Sequence, residues 1–316
     1  MESRQYRADL LSVIMPAYNE GPALVDVIAE LRAALSQIPL QSEIIVVDDG
    51  STDDTAAVVA SQSGVRLVSN PINLGYGHSI MRGIAVSQAA LFAICDADGS
   101  YDPSVLPELV KQTQRGVDHA IARRTGPHFE RTWIRRYAYR WLCQYVAGRS
   151  VPDANSGLRV FRRCLYENVS ADLCLGFSFT TSLTLASLMA GHIVAFSTMP
   201  YRARVGSSHV RVRDILRTTQ YLFQLVAAYN PVKLFLPLIL VTGLGALASF
   251  GLALLDGAIW AAAGAVMLAS SLLLLGLAAH TYVVSRAAAG PIRGGSAAAG
   301  GGQASASEAS PPGETR

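Results

Sequence analysis

Two aspartates one residue apart, Asp96 and Asp98, follow the apolar run Ala90–Cys95. A short apolar run of this kind reads as a buried strand. The single residue between the acids lets both carboxylates face one ligand. Other polar residues follow comparable runs: Tyr18, Asn19 and Glu20 come after Leu11–Met15, and Asp48 and Asp49 come after Glu43–Val47. Acids gathered in one place repel one another, and a bound divalent cation compensates for that repulsion. The alternative for each acid is a turn former or helix cap. That alternative suits Asp53 and Asp54 best, because they sit in the first turn of a helix expected over Thr52–Ser61 with Ser51 as its N-cap.

Those residues need elements to hold them. Strand-like runs at Leu11–Met15, Glu43–Val47, Val65–Ser69, Ala90–Cys95 and His119–Ala122 alternate with helical periodicity at Ala23–Ser36, Thr52–Ser61, Gly77–Ala89 and Leu106–Gln114. This alternation predicts an α/β domain with a mainly parallel sheet covered on both faces. In such sheets ligands bind outside the carboxyl ends of the strands, where the acidic groups fall. No GxGxxG opens the first strand–helix turn and no GxxxxGK[ST] is present, which disfavours Rossmann-type and P-loop nucleotide sites. Gly75-Tyr76-Gly77 alone is a weak glycine signal.

Composition sets the remaining bounds. Of 316 residues, 51% are hydrophobic and 16% charged, with a formal net charge of +3; mean hydropathy is +0.30. A disordered chain, a disulfide scaffold and an ordinary soluble enzyme are all excluded. The weak basic excess argues against a nucleic-acid footprint. Cys95, Cys143, Cys164 and Cys174 form no CxxC or Cys/His cluster, so zinc is disfavoured and reduced, cytosol-facing thiols are expected. The first 20 residues lack the apolar run of a signal peptide.

The apolar excess lies near one end. Leu234–Leu255 is 22 residues without a charge and Gly257–Ser285 another 29, separated by Asp256. At 1.5 Å per residue the first spans roughly 33 Å, enough for a hydrocarbon core of about 30 Å. A transmembrane hairpin turning at Asp256-Gly257 is predicted. Lys233 and the arginines from Arg202 to Arg217 precede it, Arg286 and Arg293 follow it, and the turn has no Lys or Arg. The positive-inside rule therefore puts both ends and the acidic groups in the cytoplasm. Residues 287–316 read as a disordered Gly/Ala/Ser/Pro tail. Val212, Ile215, Leu216, Leu222, Phe223 and Val226, with Arg211, Arg213 and Arg217 among them, fit an amphipathic helix on an anionic membrane surface or a helix packed on the soluble domain. Trp133, Tyr137 and Trp141, four residues apart beside Arg131, Arg135, Arg136 and Arg140, suit a lipid headgroup region or a helix packed on the core through its aromatic face.

Taken in order, Val13–Glu20, Val46–Asp53, Asn73-Leu74-Gly75 and Asp96-Ala97-Asp98 resemble glycosyltransferase family 2, the last being that family's DXD motif. Asp153–Arg162 (DANSGLRVFR) resembles the D-x-x-SGxRxFxR stretch of its polyprenyl-phosphate branch, and Arg204–His209 that branch's R-x-G-x-S segment. The resemblance covers about residues 10–230, and a C-terminal hairpin is typical of several subfamilies. His78 and Ser79 depart from the small residues common after the glycine loop. QxxRW, the mark of processive synthases, is missing.

The resemblance implies a GT-A fold over residues 1–210, with a juxtamembrane helix at 211–230 and the hairpin at 231–286. It implies inverting transfer of a sugar from a UDP- or GDP-linked donor to a polyprenyl phosphate. Pro16, Tyr18, Glu20, Asp48 and Asp49 would line the nucleoside pocket. Asp96 and Asp98 would flank the diphosphate, with Asp98 the direct ligand of Mg2+ or Mn2+, cations that suit hard carboxylate oxygens. Arg159 and Arg204 would meet the lipid phosphate or the departing diphosphate. Asp153 would position the acceptor or the metal, because a phosphate monoester is already largely dianionic at pH 7. An acceptor such as diacylglycerol would instead need Asp153 as a base, and a non-catalytic nucleotide-sugar-binding protein is the reading from another class. Oligomeric state stays open, the branch including tetramers.

Overall fold

A computed structural model describes residues 6–126, 133–176, 178–203 and 212–289. Its centre is a seven-stranded sheet of β1 (Arg7–Ala17), β2 (Gln41–Asp48), β3 (Val65–Ser69), β4 (Ala89–Ile94), β5 (His119–Thr125), β6 (Arg159–Arg162) and β7 (Val194–Pro200), in the order β3-β2-β1-β4-β6-β5-β7. The first four strands pair in parallel, as do β5 and β7. β6 runs antiparallel between β4 and β5. Its four residues are too few to display a strand period, so the sequence reading of a mainly parallel sheet did not resolve it.

Side chains alternate across the sheet as the two-residue strand period requires. Leu11, Val13, Met15, Ile44 and Val46 face a core shared with Leu24, Ile28 and Leu31 of α1 (Gly21–Leu35) and Leu106 and Leu109 of α4 (Leu106–Gln114). Ile14, Ile45 and Val47 face the opposite core, with Ile80 and Ile84 of α3 (Tyr76–Val86) and Phe179 and Leu183 of a later helix (Phe179–Met189). Burial on both faces explains why these strands are continuous apolar runs.

Two expected helices have different limits. α2 covers Thr55–Ala60, three residues shorter at its start than predicted. Ser51 caps nothing there; its hydroxyl accepts from the Asn19 amide at 3.0 Å. Asp53 accepts from the Thr55 amide at 3.0 Å, so the acid does organise this helix start. α3 stops at Val86 because Ser87 turns extended (φ −91°, ψ 152°) and its hydroxyl accepts from the Ala89 amide at 2.9 Å. Ala89 therefore begins β4.

Beyond β5 come α5 (Trp133–Ala147), α6 (Arg163–Val169) and α7 (Phe179–Met189), and after β7 come α8 (Val212–Tyr229), α9 (Val232–Asp256) and α10 (Ala258–Ala289). The last two are long and apolar enough to cross a membrane. They break at Gly257, whose φ of +82° lies in the region glycine favours. α10 runs through Ala289, three residues into the expected tail. The remainder of that tail lies outside the described residues. Leu222, Leu225 and Val226 of α8 are buried in the same cluster as Cys143 and Val146 of α5 and Phe179 of α7, while Phe223 is exposed. Of the two readings of this helix, Leu222 and Val226 follow the packed one. On α5, Tyr137 and Trp141 are 62% and 61% exposed, so these two rings are not packed on the core. The Trp133 side chain lies outside the description.

Candidate active site

Parallel pairing brings the ends of three strands together. Ala17 pairs with Asp48, Ile14 pairs with Ile94, and the Cys95 amide donates to the Ile14 carbonyl at 3.2 Å. The loops holding Tyr18–Glu20, Asp48-Asp49 and Asp96–Asp98 thus leave the same edge of the sheet. Pro16 sits just inside it, buried and paired with Val47. Tyr18 and Glu20 are half-buried. Asn19 has φ +56°, the one non-glycine positive φ among the described residues. Its side-chain oxygen accepts from the Thr52 amide at 2.8 Å, and the Glu20 amide donates to Thr55 Oγ1 at 3.0 Å. These bonds stitch the first loop to the second.

The paired acids at the end of β2 organise backbone. Asp48 accepts from the Ser51 amide at 3.1 Å. Asp49, 3% exposed, accepts from Asn70 Nδ2 at 2.7 Å, the Leu74 amide at 3.0 Å and the Gly75 amide at 2.8 Å. It thereby fixes the loop from β3 to α3 against the edge. Gly75 takes φ +103° to begin α3, and Tyr76 then points its hydroxyl at Asp96.

Asp96 Oδ1 accepts from Tyr76 Oη at 2.7 Å. Burial, and then the charge of Asp98, push the Asp96 carboxyl up to about 6, against the lowering influence of Tyr76 and the cations Arg124 and Arg159. Asp98 is 7% exposed and accepts at Oδ1 from the Ser100 amide at 3.0 Å and hydroxyl at 2.6 Å. The Asp96 carboxylate lies against Gly157 so closely that a Cβ there would fall 2.1 Å from Oδ2. Among the described residues no three His, Cys, Asp or Glu side chains gather closely enough to hold a metal by themselves.

The segment containing Gly157 begins at Asp153, which is 5% exposed. Its two oxygens receive Arg124 of β5: Nε at 2.9 Å and the amide at 3.1 Å on Oδ2, and Nη2 at 2.8 Å on Oδ1. Arg124 also lies 5.4 Å from the ring of Tyr201. The Gly157 amide donates to Tyr101 Oη at 2.7 Å, and Asn155 Oδ1 accepts from Thr180 Oγ1 at 2.8 Å. Arg159 is fully buried beneath this segment rather than presented at its surface. Its guanidinium donates to the Ser156 carbonyl at 2.9 Å, the Thr180 carbonyl at 2.8 Å, Thr184 Oγ1 at 3.0 Å and the Ala154 carbonyl at 3.3 Å. Burial pushes it down to about 10, Tyr76 and Tyr101 opposing. Arg204 lies outside the described residues.

The sequence reading missed Arg124, Tyr76, Tyr101 and Asn70 as parts of this site. Arg124 is the last residue but one of β5, and the carboxyl-end rule that picked out the acids applied to it as well. Tyr101 follows the DADGS stretch directly. Asn70 follows β3 in the same way and donates to Asp49.

Residues 12–170 match the family model described as glycosyl transferase family 2. The chain is 28% identical over 277 residues to an undecaprenyl-phosphate 4-deoxy-4-formamido-L-arabinose transferase of Sodalis glossinidius (strain morsitans), covering 83% of this chain and 82% of that one. It is 33% identical over 165 residues to the protein of the same name from Serratia proteamaculans (strain 568), where it spans half the length of each. A glucosyl-3-phosphoglycerate synthase from Mycobacterium tuberculosis, crystallised with Mn2+, uridine diphosphate and phosphoglyceric acid, superposes with a TM-score of 0.55 at 22% identity, covering 69% of this chain and 76% of that one. That likeness extends to the fold.

Proposed function

The chain belongs to glycosyl transferase family 2, and on that premise we propose that it transfers a sugar from a nucleotide-diphospho-sugar to a polyprenyl phosphate held in the membrane, with inversion at the anomeric carbon. The observation that carries this reading is the union of two features. Asp96 and Asp98 stand at the carboxyl edge of the sheet, and the same chain continues into two helices of bilayer length. The name of the Sodalis relative, which aligns over most of both chains, supports the same acceptor class.

Residues 1–210 are read as the catalytic domain, 211–230 as its connection to the anchor, and 231–286 as the hairpin. Lys233 just before the first uncharged run and Arg286 just after the second favour a cytoplasmic catalytic domain. Pro16, Tyr18, Glu20, Asp48 and Asp49 are read as the nucleoside side of the site, with Asp49 acting through the loop it holds. Asp96 and Asp98 fit a divalent cation of the Mg2+ or Mn2+ class. Two hard carboxylates, one of them raised by burial and then by its neighbour's charge, match a cation that takes one or two carboxylates and completes its shell with substrate phosphates and water. When bound, such a cation stabilises the negative charge that grows on the departing diphosphate.

The acceptor phosphate is already largely dianionic at pH 7, its second pKa being about 6, so attack on the anomeric carbon needs no base. Asp153 fits a positioning role, because Arg124 occupies both its oxygens. Arg159 is read as the support of the Asp153–Gly157 segment, and Arg204 remains a candidate phosphate partner. A diacylglycerol-type acceptor has no comparable support, since it requires Asp153 to take a proton.

The test uses the full chain in detergent with Mn2+ or Mg2+. UDP-glucose, UDP-GlcNAc, UDP-galactose, GDP-mannose and a nucleotide-linked 4-deoxy-4-formamido-L-arabinose are offered with and without undecaprenyl phosphate, and nucleoside diphosphate release is recorded. Release that needs the lipid phosphate and is lost in Asp98→Asn is expected. Equal release with diacylglycerol, or release unaffected by Asp98→Asn, overturns the reading.

A further inference from the structure

The last turn of α5 leaves carbonyls without helical partners, and a residue from the start of the anchor supplies donors to two of them. Lys233, the second residue of α9, donates from Nζ to the Tyr145 carbonyl at 2.9 Å and the Val146 carbonyl at 3.2 Å. The Tyr145 hydroxyl answers by donating to the Lys233 carbonyl at 2.6 Å. Gly148, with φ +71°, ends α5 and leaves room for the ammonium, since a Cβ there would lie 2.8 Å from Nζ. The contact is therefore reciprocal, three hydrogen bonds between residues 87 or 88 positions apart. A cation at a helix C-terminus is favoured by the helix dipole as well.

The same helix carries an exposed aromatic stripe that ends at this contact. Tyr137, Trp141 and Tyr145 lie four residues apart and so share a face of α5. Trp141 stacks on Tyr145 with ring centroids 5.8 Å apart and planes 14° from parallel. The exposed rings of Tyr137 and Trp141 are thus tied, through Tyr145 and Lys233, to the point where the bilayer-length segment begins. Amphipathic rings of this kind settle at the headgroup level. The opposite side of α5, with Cys143 and Val146, is packed into the catalytic domain.

We propose that Lys233 and Tyr145 form a clamp that sets the height and tilt of the active site above the bilayer, making both residues positioning residues for the membrane-held acceptor. The inference rests on the proposed transfer to a polyprenyl phosphate and adds what aligns that acceptor with the site. A carbohydrate donor arrives from water and is indifferent to the clamp. An acceptor phosphate on a membrane-bound chain can reach the sheet edge only if that edge stands at the right distance from the membrane surface. A misplacement on the order of 1 Å can cost about 100-fold in rate.

The test compares the wild-type chain with Lys233→Met and Tyr145→Phe, full length in lipid nanodiscs. One acceptor is undecaprenyl phosphate in the bilayer, and the other is a short-chain isoprenyl phosphate in solution. Both variants are expected to lose about tenfold in transfer to the bilayer acceptor while transfer to the soluble one changes less than about twofold, with the Michaelis constant for the donor unmoved. A parallel loss on both acceptors, or no loss on either, overturns the clamp. A second readout needs no activity. In a Trp133→Phe, Trp260→Phe background Trp141 is the only tryptophan, and brominated phosphatidylcholine is expected to quench it less in Lys233→Met. Unchanged quenching overturns the clamp whatever the rates. A wild-type chain that uses neither acceptor defeats the proposed function instead, and quenching then decides the clamp alone.

Discussion

Gly157 is where the backbone touches the Asp96 carboxylate, and no side chain fits between them. Gly157→Ala would drive a methyl group to 2.1 Å from Oδ2, so the carboxylate must turn away from Tyr76. Transfer is expected to fall by roughly 100-fold with little change in melting temperature, measured as nucleoside diphosphate release beside a thermal melt. Unaltered release would show that the placement of Asp96 is not critical. His119 gives a second residue-scale prediction. Burial, then Arg159, then His192 hold this imidazole well below its usual value, and Nε2 has no hydrogen-bond partner among the described residues. Its folded pKa is lower than its unfolded one, near 6.5, so the unfolded chain binds more protons below that pH. The contribution is complete above about 6.5 and is lost as pH falls further, by up to about 1.4 kcal/mol per unit. The melting temperature of the wild type should therefore drop more between pH 7.5 and 5.5 than that of His119→Gln; equal drops would remove His119 as the cause. Which residues were legible follows from where they stand in the chain. Asp48, Asp49, Asp96 and Asp98 could be read because each pair comes at the end of an apolar run, Glu43–Val47 or Ala90–Cys95. Arg124 stands at such an end too, but its partner Asp153 is 29 residues away. No local pattern announces that pairing, and Arg123-Arg124 looks like any solvated basic pair.

α8 shows how far a helical pattern reaches at the scale of an element. Apolar residues at positions 212, 215, 216, 222, 223 and 226 announce an amphipathic helix, and arginines among them suit a lipid surface as well as they suit water. Periodicity gives the face but not what covers it. Cys143, Val146, Phe179 and Leu183 lie in the same cluster as Leu222, Leu225 and Val226, and the Tyr229 hydroxyl donates to Asp172 at 2.7 Å. Leu225, 2% exposed, is thus core. Leu225→Ala should cost about 2–5 kcal/mol of stability, seen as a lower denaturation midpoint in detergent, whereas Phe223→Ala at a 56% exposed position should cost little. The reverse ranking would mean that α8 leaves the domain and lies on lipid. β6 and the true start of α2 were out of reach for a similar reason. Four residues carry no period, and Ser51 was claimed by Asn19 across a loop rather than by the helix that follows it.

For the whole molecule, the catalytic sheet and the hairpin could each be read separately, the first from alternating strands and helices and the second from 22 and 29 uncharged residues. How they join could not, because the joint consists of contacts between distant segments. α8 packs on α5 and α7, and the chain then reverses through Asn230 and Pro231 into α9, the Lys233 amide donating to the Asn230 carbonyl at 3.1 Å. The boundary that matters for folding therefore falls after α8 and not before it. A chain ending at Asn230 keeps Leu222, Leu225 and Val226 on the core and is expected to fold. It should release nucleoside diphosphate with a short-chain isoprenyl phosphate in solution but lose transfer to undecaprenyl phosphate in vesicles. A chain ending at Ala203 uncovers Val146 and Phe179, and exposing that much apolar surface should leave it aggregated or unfolded. Circular dichroism and release with both acceptors separate these cases. Full transfer to the vesicle acceptor by the chain ending at Asn230 would mean that the hairpin contributes nothing to presenting the acceptor, and the catalytic domain would then have to find the membrane by itself.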